Sequence, residues 1–149
     1  MEGYEISTDR QRLDLRAIHA YLVRSYWSPG IPLEIVERAV NNSLCFGVYE
    51  KASAAQVAFT RVVTDYATFA YLCDVYVLEA HRGRGLSKLM MHEAMTHPAL
   101  AGARRVMLAT RDAHGLYRQS GFAVAGAAGN LMEVVRPDIY DTRVSIKTA

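Results

Sequence analysis

The stretch Leu72–His92, LCDVYVLEAHRGRGLSKLMMH, constrains this chain more than any other. It reads as a strand, a short arginine–glycine turn and a helix, in that order. Asp74-Val75-Tyr76-Val77 carries the β-branched and aromatic residues of a buried strand. In Arg82-Gly83-Arg84-Gly85 the two glycines let the backbone bend tightly and approach a ligand closely. From Leu86 onward, Leu86, Leu89, Met90 and Ala94 fall at helical spacing. A helix whose first free N–H groups emerge from a glycine-rich, cationic turn is an anion site, because its orphan donors and dipole favour a phosphate. The reading is a pyrophosphate-binding turn, Arg82-Gly83-Arg84-Gly85, at the start of the helix that begins at Leu86.

Other phosphate sites are excluded by the same residues. The dinucleotide fingerprint GxGxxG fails, since Lys88 stands where the third glycine is needed. No Gly-Lys-Ser/Thr occurs, so there is no nucleoside-triphosphate loop. A net charge of +2 is too modest for a nucleic-acid binder, and the arginines are local rather than striped. Arg104 and Arg105 read as solvated surface charges. His92-Glu93-Ala94-Met95-Thr96-His97 resembles a zinc helix, but its second histidine falls five residues on and off the face of the first. No metal site is expected. Cys45 and Cys73 sit in apolar segments without a CxxC partner and read as buried free thiols. Neither a signal-peptide core nor a bilayer-length apolar run appears, so a cytoplasmic protein without a membrane partner is expected.

A chain of 149 residues suits one domain, 1–149. Tyr4–Ser7 reads as a first strand, followed by a helix from Arg10 to about Ser25 capped by Thr8 or Asp9. Ser25–Gly30 breaks it, and Pro32 opens a second helix to about Asn42. Strands are expected over Leu44–Glu50, Ala54–Val63 and Thr68–Val77, with connections short enough for antiparallel hairpins. Beyond the arginine turn a helix runs to His97-Pro98, and a strand over Arg105–Ala109 is parallel to the Thr68–Val77 strand. A short helix follows from about Asp112, its N-cap, to Ser120, with Gly121 placed to end it. Phe122–Ala125 and Leu131–Val135 read as short strands around a glycine- and alanine-rich turn. The tail from about Pro137 has little pattern and is expected to be loose. The sum is an α/β (α+β) domain with a mixed sheet.

Two motifs in this order of elements resemble the GNAT superfamily of N-acyltransferases over roughly residues 4–136. Arg82, Gly85 and Ser87 occupy the defined positions of its R-x-x-G-x-G/A acyl-CoA loop, with serine in place of the usual small residue. Ala113–Phe122, AHGLYRQSGF, resembles the family's A-x-x-L-Y-x-x-x-G-F. Thr110 stands where the family often has an asparagine that contacts CoA. The resemblance implies a central, mostly antiparallel sheet with a V-shaped splay between two parallel strands, flanked by about four helices. It implies that the phosphate-binding donors come from Arg82, Gly83, Arg84, Gly85, Leu86 and Ser87, and that the pantetheine arm of acetyl-CoA lies in that splay against the backbone of Val75, Tyr76 and Val77. It further implies direct attack of an amine on the thioester, and a homodimer as a family-level expectation.

Such a reaction needs a stabilised oxyanion, a proton for the departing thiolate and a base for the acceptor ammonium. A backbone N–H near Tyr76 or Val77 answers the first. Tyr117 matches the family's tyrosine for the second, against the alternative that it merely anchors its helix on the sheet. Asp74 is the best-placed base, because a carboxylate on a central strand needs a reason; the alternative is a carboxylate paired with an arginine. Asp65 and His114 stand in reserve. Tyr26 and Trp27, aromatics on a loop, read either as core closure or as a wall of the acceptor pocket. The leading expectation is N-acetyl transfer from acetyl-CoA to a small-molecule or peptide amine. The alternative is a CoA-sensing module that has lost turnover.

Overall fold

In the computed structural model, which describes residues 1–141, five strands form one sheet in sequence order. They are β1 (Tyr4–Ser7), β2 (Leu44–Glu50), β3 (Gln56–Thr64), β4 (Phe69–Val77) and β5 (Arg105–Leu108). The first four pair antiparallel: β2–β3 and β3–β4 are joined by short hairpin connections, whereas β1 joins β2 across the segment that carries two helices. In the β3–β4 turn the Asp65 carboxylate accepts from the N–H groups of Ala67, Thr68 and Phe69 and from the Thr68 hydroxyl. These bonds hold its pKa well below the usual carboxylate range and commit Asp65 to the turn. Between β4 and β5 the chain crosses over through α3 (Leu86–Thr96) and α4 (Pro98–Ala101), so those two strands run parallel.

Side chains alternate between the two faces of the sheet, and each face has its own apolar core. One core packs Phe46, Val48, Ala58, Val62 and Leu72 against Leu86, Met90, Met91 and Ala94 of α3. On the other face Cys45, Phe59 and Tyr76 meet Ile18 and Leu22 of α1 (Leu15–Leu22) and Val36 and Val40 of α2 (Leu33–Asn41).

The first helix is shorter than the sequence suggests. Asp9 caps only a 3₁₀ turn over Arg10–Arg12, and Leu13 is extended. A second cap at Asp14, accepting from the Ala17 N–H, then starts α1. The helix α5 covers only His114–Arg118; Ala113, not Asp112, is its N-cap, no side chain caps it, and the Ala113 N–H donates to the Thr110 hydroxyl just before it. Phe122–Ala125 and Leu131–Val135 do not form strands. Their apolar side chains find no layer to cover them: Val124 is 70% exposed, Val134 81% and Met132 97%. The outer edge of β5 is thus left without a ladder partner among the described residues. The expected loose tail begins with a turn whose Tyr140 packs against the Ile18–Ile31 core; residues 142–149 of that tail lie outside the described residues.

Candidate active site

The phosphate turn takes the form its sequence implies. Gly83 (φ 74°) and Gly85 (φ 79°) both occupy the left-handed region that glycine enters without strain. Gly85 is the N-cap of α3 and offers no side-chain acceptor, so the first N–H groups of the helix point into the open turn. The first helical bond runs from Leu89 N–H to the Gly85 carbonyl. Leu86 is buried in the core beneath α3 and fixes the helix, which leaves its backbone as its contribution to the turn. Arg84 and Lys88 are exposed at the same end. Arg82 is committed differently: its Nε donates to the Val77 carbonyl at 3.0 Å and a terminal nitrogen to the Tyr21 hydroxyl at 3.0 Å. It ties the turn to the end of β4.

Strand β4 opens the site through a bulge. Phe59 pairs with Tyr76 and Arg61 with Cys73, so Thr60 alone faces both Asp74 and Val75. The extra residue is Asp74, which sits at φ 55°. Asparagine and aspartate tolerate this region better than other L-residues, although the conformation still costs on the order of 1 kcal/mol. The bulge reverses the alternation. Before it the even positions Ala70 and Leu72 face the α3 core; after it the odd positions Val75 and Val77 do. Tyr76 consequently turns to the other face and stacks on Tyr21, centroids 4.0 Å apart and planes 8° from parallel.

Pairing with β5 ends at Leu72–Leu108, whereas β4 continues to Val77. The two parallel strands part there, and the β4 backbone over Val75, Tyr76 and Val77 borders the gap. A cavity of about 750 Å³ runs along it, lined by those residues, Gly83, Gly85, Leu86, Ser87 and Tyr117. A second cavity of about 310 Å³ opens on the other side, lined by Tyr71, Leu72, Asp74, Leu108, Thr110 and Tyr117. Tyr26, Trp27, Val75 and Tyr117 border both, so the two spaces meet at Val75 and Tyr117. A third space of about 390 Å³ lies along β5 toward residues 122–127, away from the phosphate turn.

Comparison with known proteins identifies the family to which this fold belongs. The sequence model of the Acetyltransferase (GNAT) family matches residues 9–122. The chain belongs to the GNAT family of acetyltransferases. A Xanthomonas campestris pv. campestris crystal structure, provisionally named a GNAT acetyltransferase, shares 50% identity over 95% of this chain and 99% of its own, with a TM-score of 0.91. A Gibberella zeae protein, provisionally named an acetyltransferase, is 35% identical, covering 76% of this chain and 75% of its own. A Clostridium acetobutylicum structure with acetyl-CoA has a TM-score of 0.62 at 15% identity, over 89% of this chain and 94% of its own, and shares the fold.

Within this GNAT frame the other expected residues gather at the junction. Tyr117 is buried, its ring edge-on to Phe122 with centroids 6.1 Å apart. Burial, then the neighbouring Tyr26 and Asp112, push its phenol pKa upward, so it holds its proton. Tyr26 and Trp27 pack edge to face at 5.0 Å, and the Trp27 indole N–H donates to Asp74 Oδ1 at 3.0 Å. Asp74 Oδ2 accepts from Arg61 Nε at 2.7 Å, and Arg61 also donates to the Ser43 hydroxyl. Both oxygens of the 9%-exposed Asp74 are therefore engaged, which is the arginine-paired arrangement. Reading the sequence did not find Arg61, whose signal is a lone arginine inside an apolar strand. Nor does the sequence single out Tyr21 or Arg111, and it marks Asp112 only as a helix N-cap.

Asp74→Ala is expected to cost about 3 kcal/mol, because it leaves the half-buried Arg61 guanidinium unpaired and puts alanine at a left-handed position. Asp74→Asn keeps the backbone preference and an acceptor for Trp27, and should cost less. Thermal unfolding of both checks the order. A kcat in Asp74→Asn near that of the parent assigns Asp74 to positioning, and a loss of two orders or more assigns it to proton transfer.

Proposed function

We propose that this GNAT protein is an N-acetyltransferase that passes the acetyl group of acetyl-CoA directly to the primary amine of a small acceptor, within a ternary complex. The meeting of the two cavities at Val75 and Tyr117 carries this reading, since it lets donor and acceptor approach one point from opposite sides of the splay. The N–H groups at the start of α3, with Arg84 and Lys88, hold the pyrophosphate. The β4 backbone over Val75–Val77 aligns the pantetheine arm, and an N–H near Tyr76 or Val77 stabilises the oxyanion. Tyr117, kept protonated by burial, supplies a proton or hydrogen bond to the departing thiolate. Tyr26 and Trp27 wall the acceptor side, and Asp74 holds Trp27 there while also standing within reach of a base role through water.

Transfer through an acylated cysteine is disfavoured, because burial pushes the Cys73 thiol up to about 12 and Cys45 up to about 11. Free thiols also suit a cytoplasmic protein, and among the described residues no helix is long and apolar enough to cross a membrane. Amine-dependent release of free CoA from acetyl-CoA, followed over a panel of small amines and short peptides, tests the reading. Release that rises with one amine class supports it. Tight acetyl-CoA binding with no release on any amine points instead to a CoA-binding module without turnover.

A further inference from the structure

We propose that the acceptor carries an anionic group close to its amine, and that Arg111, held over the Tyr26 ring, docks that group. The inference rests on the transferase reading above and names the class of its second substrate. Arg111 lies in the segment between β5 and α5, where the splay opens, and it lines both the donor groove and the acceptor cavity. None of the phosphate-turn residues lines the acceptor cavity. The guanidinium carbon of Arg111 stands 3.9 Å from the Tyr26 ring centroid. Stacking of this kind orients the planar group and uses none of its N–H donors.

Those donors are not spent elsewhere. Among the described residues Arg12, Arg24, Arg61 and Arg82 each form an ion pair, whereas Arg111 forms neither an ion pair nor a side-chain hydrogen bond. The remaining charge deep in the acceptor cavity, Asp74, is already neutralised by Arg61. A planar fork of unspent donors on the wall of a pocket otherwise lined by groups such as Tyr71, Leu72 and Leu108 is built for a carboxylate or a phosphate. Asp112, the next residue, borders the same space and, among the described residues, forms no side-chain hydrogen bond and no ion pair, with Arg111 or otherwise. It offers a negative charge to the acceptor's ammonium beside the positive charge for its anion. At about 310 Å³ the cavity is at the small end of ligand sites, which fits an amino-acid-sized zwitterion.

Matched acceptors test this. The common L-amino acids are assayed against their carboxamides, and ethanolamine phosphate against ethanolamine, with acetyl-CoA as donor. The carboxylate and phosphate pairs separate the two sources of anion. The expected result is a kcat/KM at least tenfold higher for the anionic member of an accepted pair. Arg111→Gln should collapse that ratio toward one by raising KM for the anionic member, with the acetyl-CoA dissociation constant held within about twofold and partial recovery in Arg111→Lys. Equal kcat/KM within every pair overturns the inference, and so does a preference that survives Arg111→Gln. A loss of acetyl-CoA affinity in that variant also overturns it, by assigning Arg111 to the donor. Absence of transfer to every member, with acetyl-CoA bound, is a different failure: it removes the transferase reading and this inference with it.

Discussion

Tyr117→Phe is expected to lower kcat about 100-fold while leaving the acetyl-CoA dissociation constant within about twofold, as befits loss of a general acid. The substitution keeps the aromatic ring, its edge contact with Phe122 and its place in the core beneath α3, so the fold should be unaffected. What disappears is the hydroxyl of a residue that lines both cavities. Its protonated form is the one burial favours, since transferring a phenolate into the site costs more than transferring a phenol. The sign of that shift sets the pH dependence. A raised pKa keeps the acid competent throughout the neutral and mildly alkaline range, so no falling limb attributable to Tyr117 is expected below about pH 10. Any alkaline limb that remains in Tyr117→Phe belongs to another group. An unchanged kcat would remove Tyr117 from the mechanism and leave it as a packing residue.

Gly85→Glu should weaken acetyl-CoA binding at least 100-fold, about 2.7 kcal/mol. Two effects act together. At φ 79° any side chain strains the turn, on the order of 1 kcal/mol. The larger effect is electrostatic: a carboxylate at the N-cap of α3 accepts the free N–H groups that would otherwise hold the pyrophosphate, and then repels it. Steric exclusion by neighbouring protein is minor, because among the described residues a Cβ at Gly85 meets only the Met1 side chain, at 3.5 Å. Circular dichroism should be unchanged, as α3 is anchored by Leu86, Met90, Met91 and Ala94 on its buried face. Calorimetry of the variant with acetyl-CoA measures the loss. Affinity equal to that of the parent would show that the phosphate lies elsewhere.

The sequence was most legible where glycine forces the backbone. Gly83 and Gly85 announced a left-handed turn before a helix, and the strand and helix on either side followed from ordinary periodicity. The order of β2, β3 and β4 was legible too, since short connections favour antiparallel neighbours, but the place of β1 beside β2, across two helices, was not. The bulge in β4 was not. It is made by Asp74 at φ 55°, a conformation its residue type permits without advertising, and it alone changes which face Val75 and Tyr76 occupy. The carboxylate's partners were hidden for a related reason. Arg61 lies on the neighbouring strand and Trp27 on a loop 47 residues away, so the pairing exists only once the chain has folded. The strands expected at Phe122–Ala125 and Leu131–Val135 failed in the opposite way. Local propensity favours them, but nothing covers their apolar faces, and a strand owes most of its stability to what packs on it. Arg111 and Asp112 carried no motif; their significance comes from where β5 ends.

Calorimetric titration of the purified protein with acetyl-CoA, with CoA, ATP and NAD as controls, tests the central claim most directly. A dissociation constant on the order of micromolar is expected for acetyl-CoA, shared by CoA, with no comparable binding of ATP or NAD. No binding of acetyl-CoA together with clear binding of ATP or NAD would contradict it, because the turn from Arg82 to Ser87 would then serve a different phosphate.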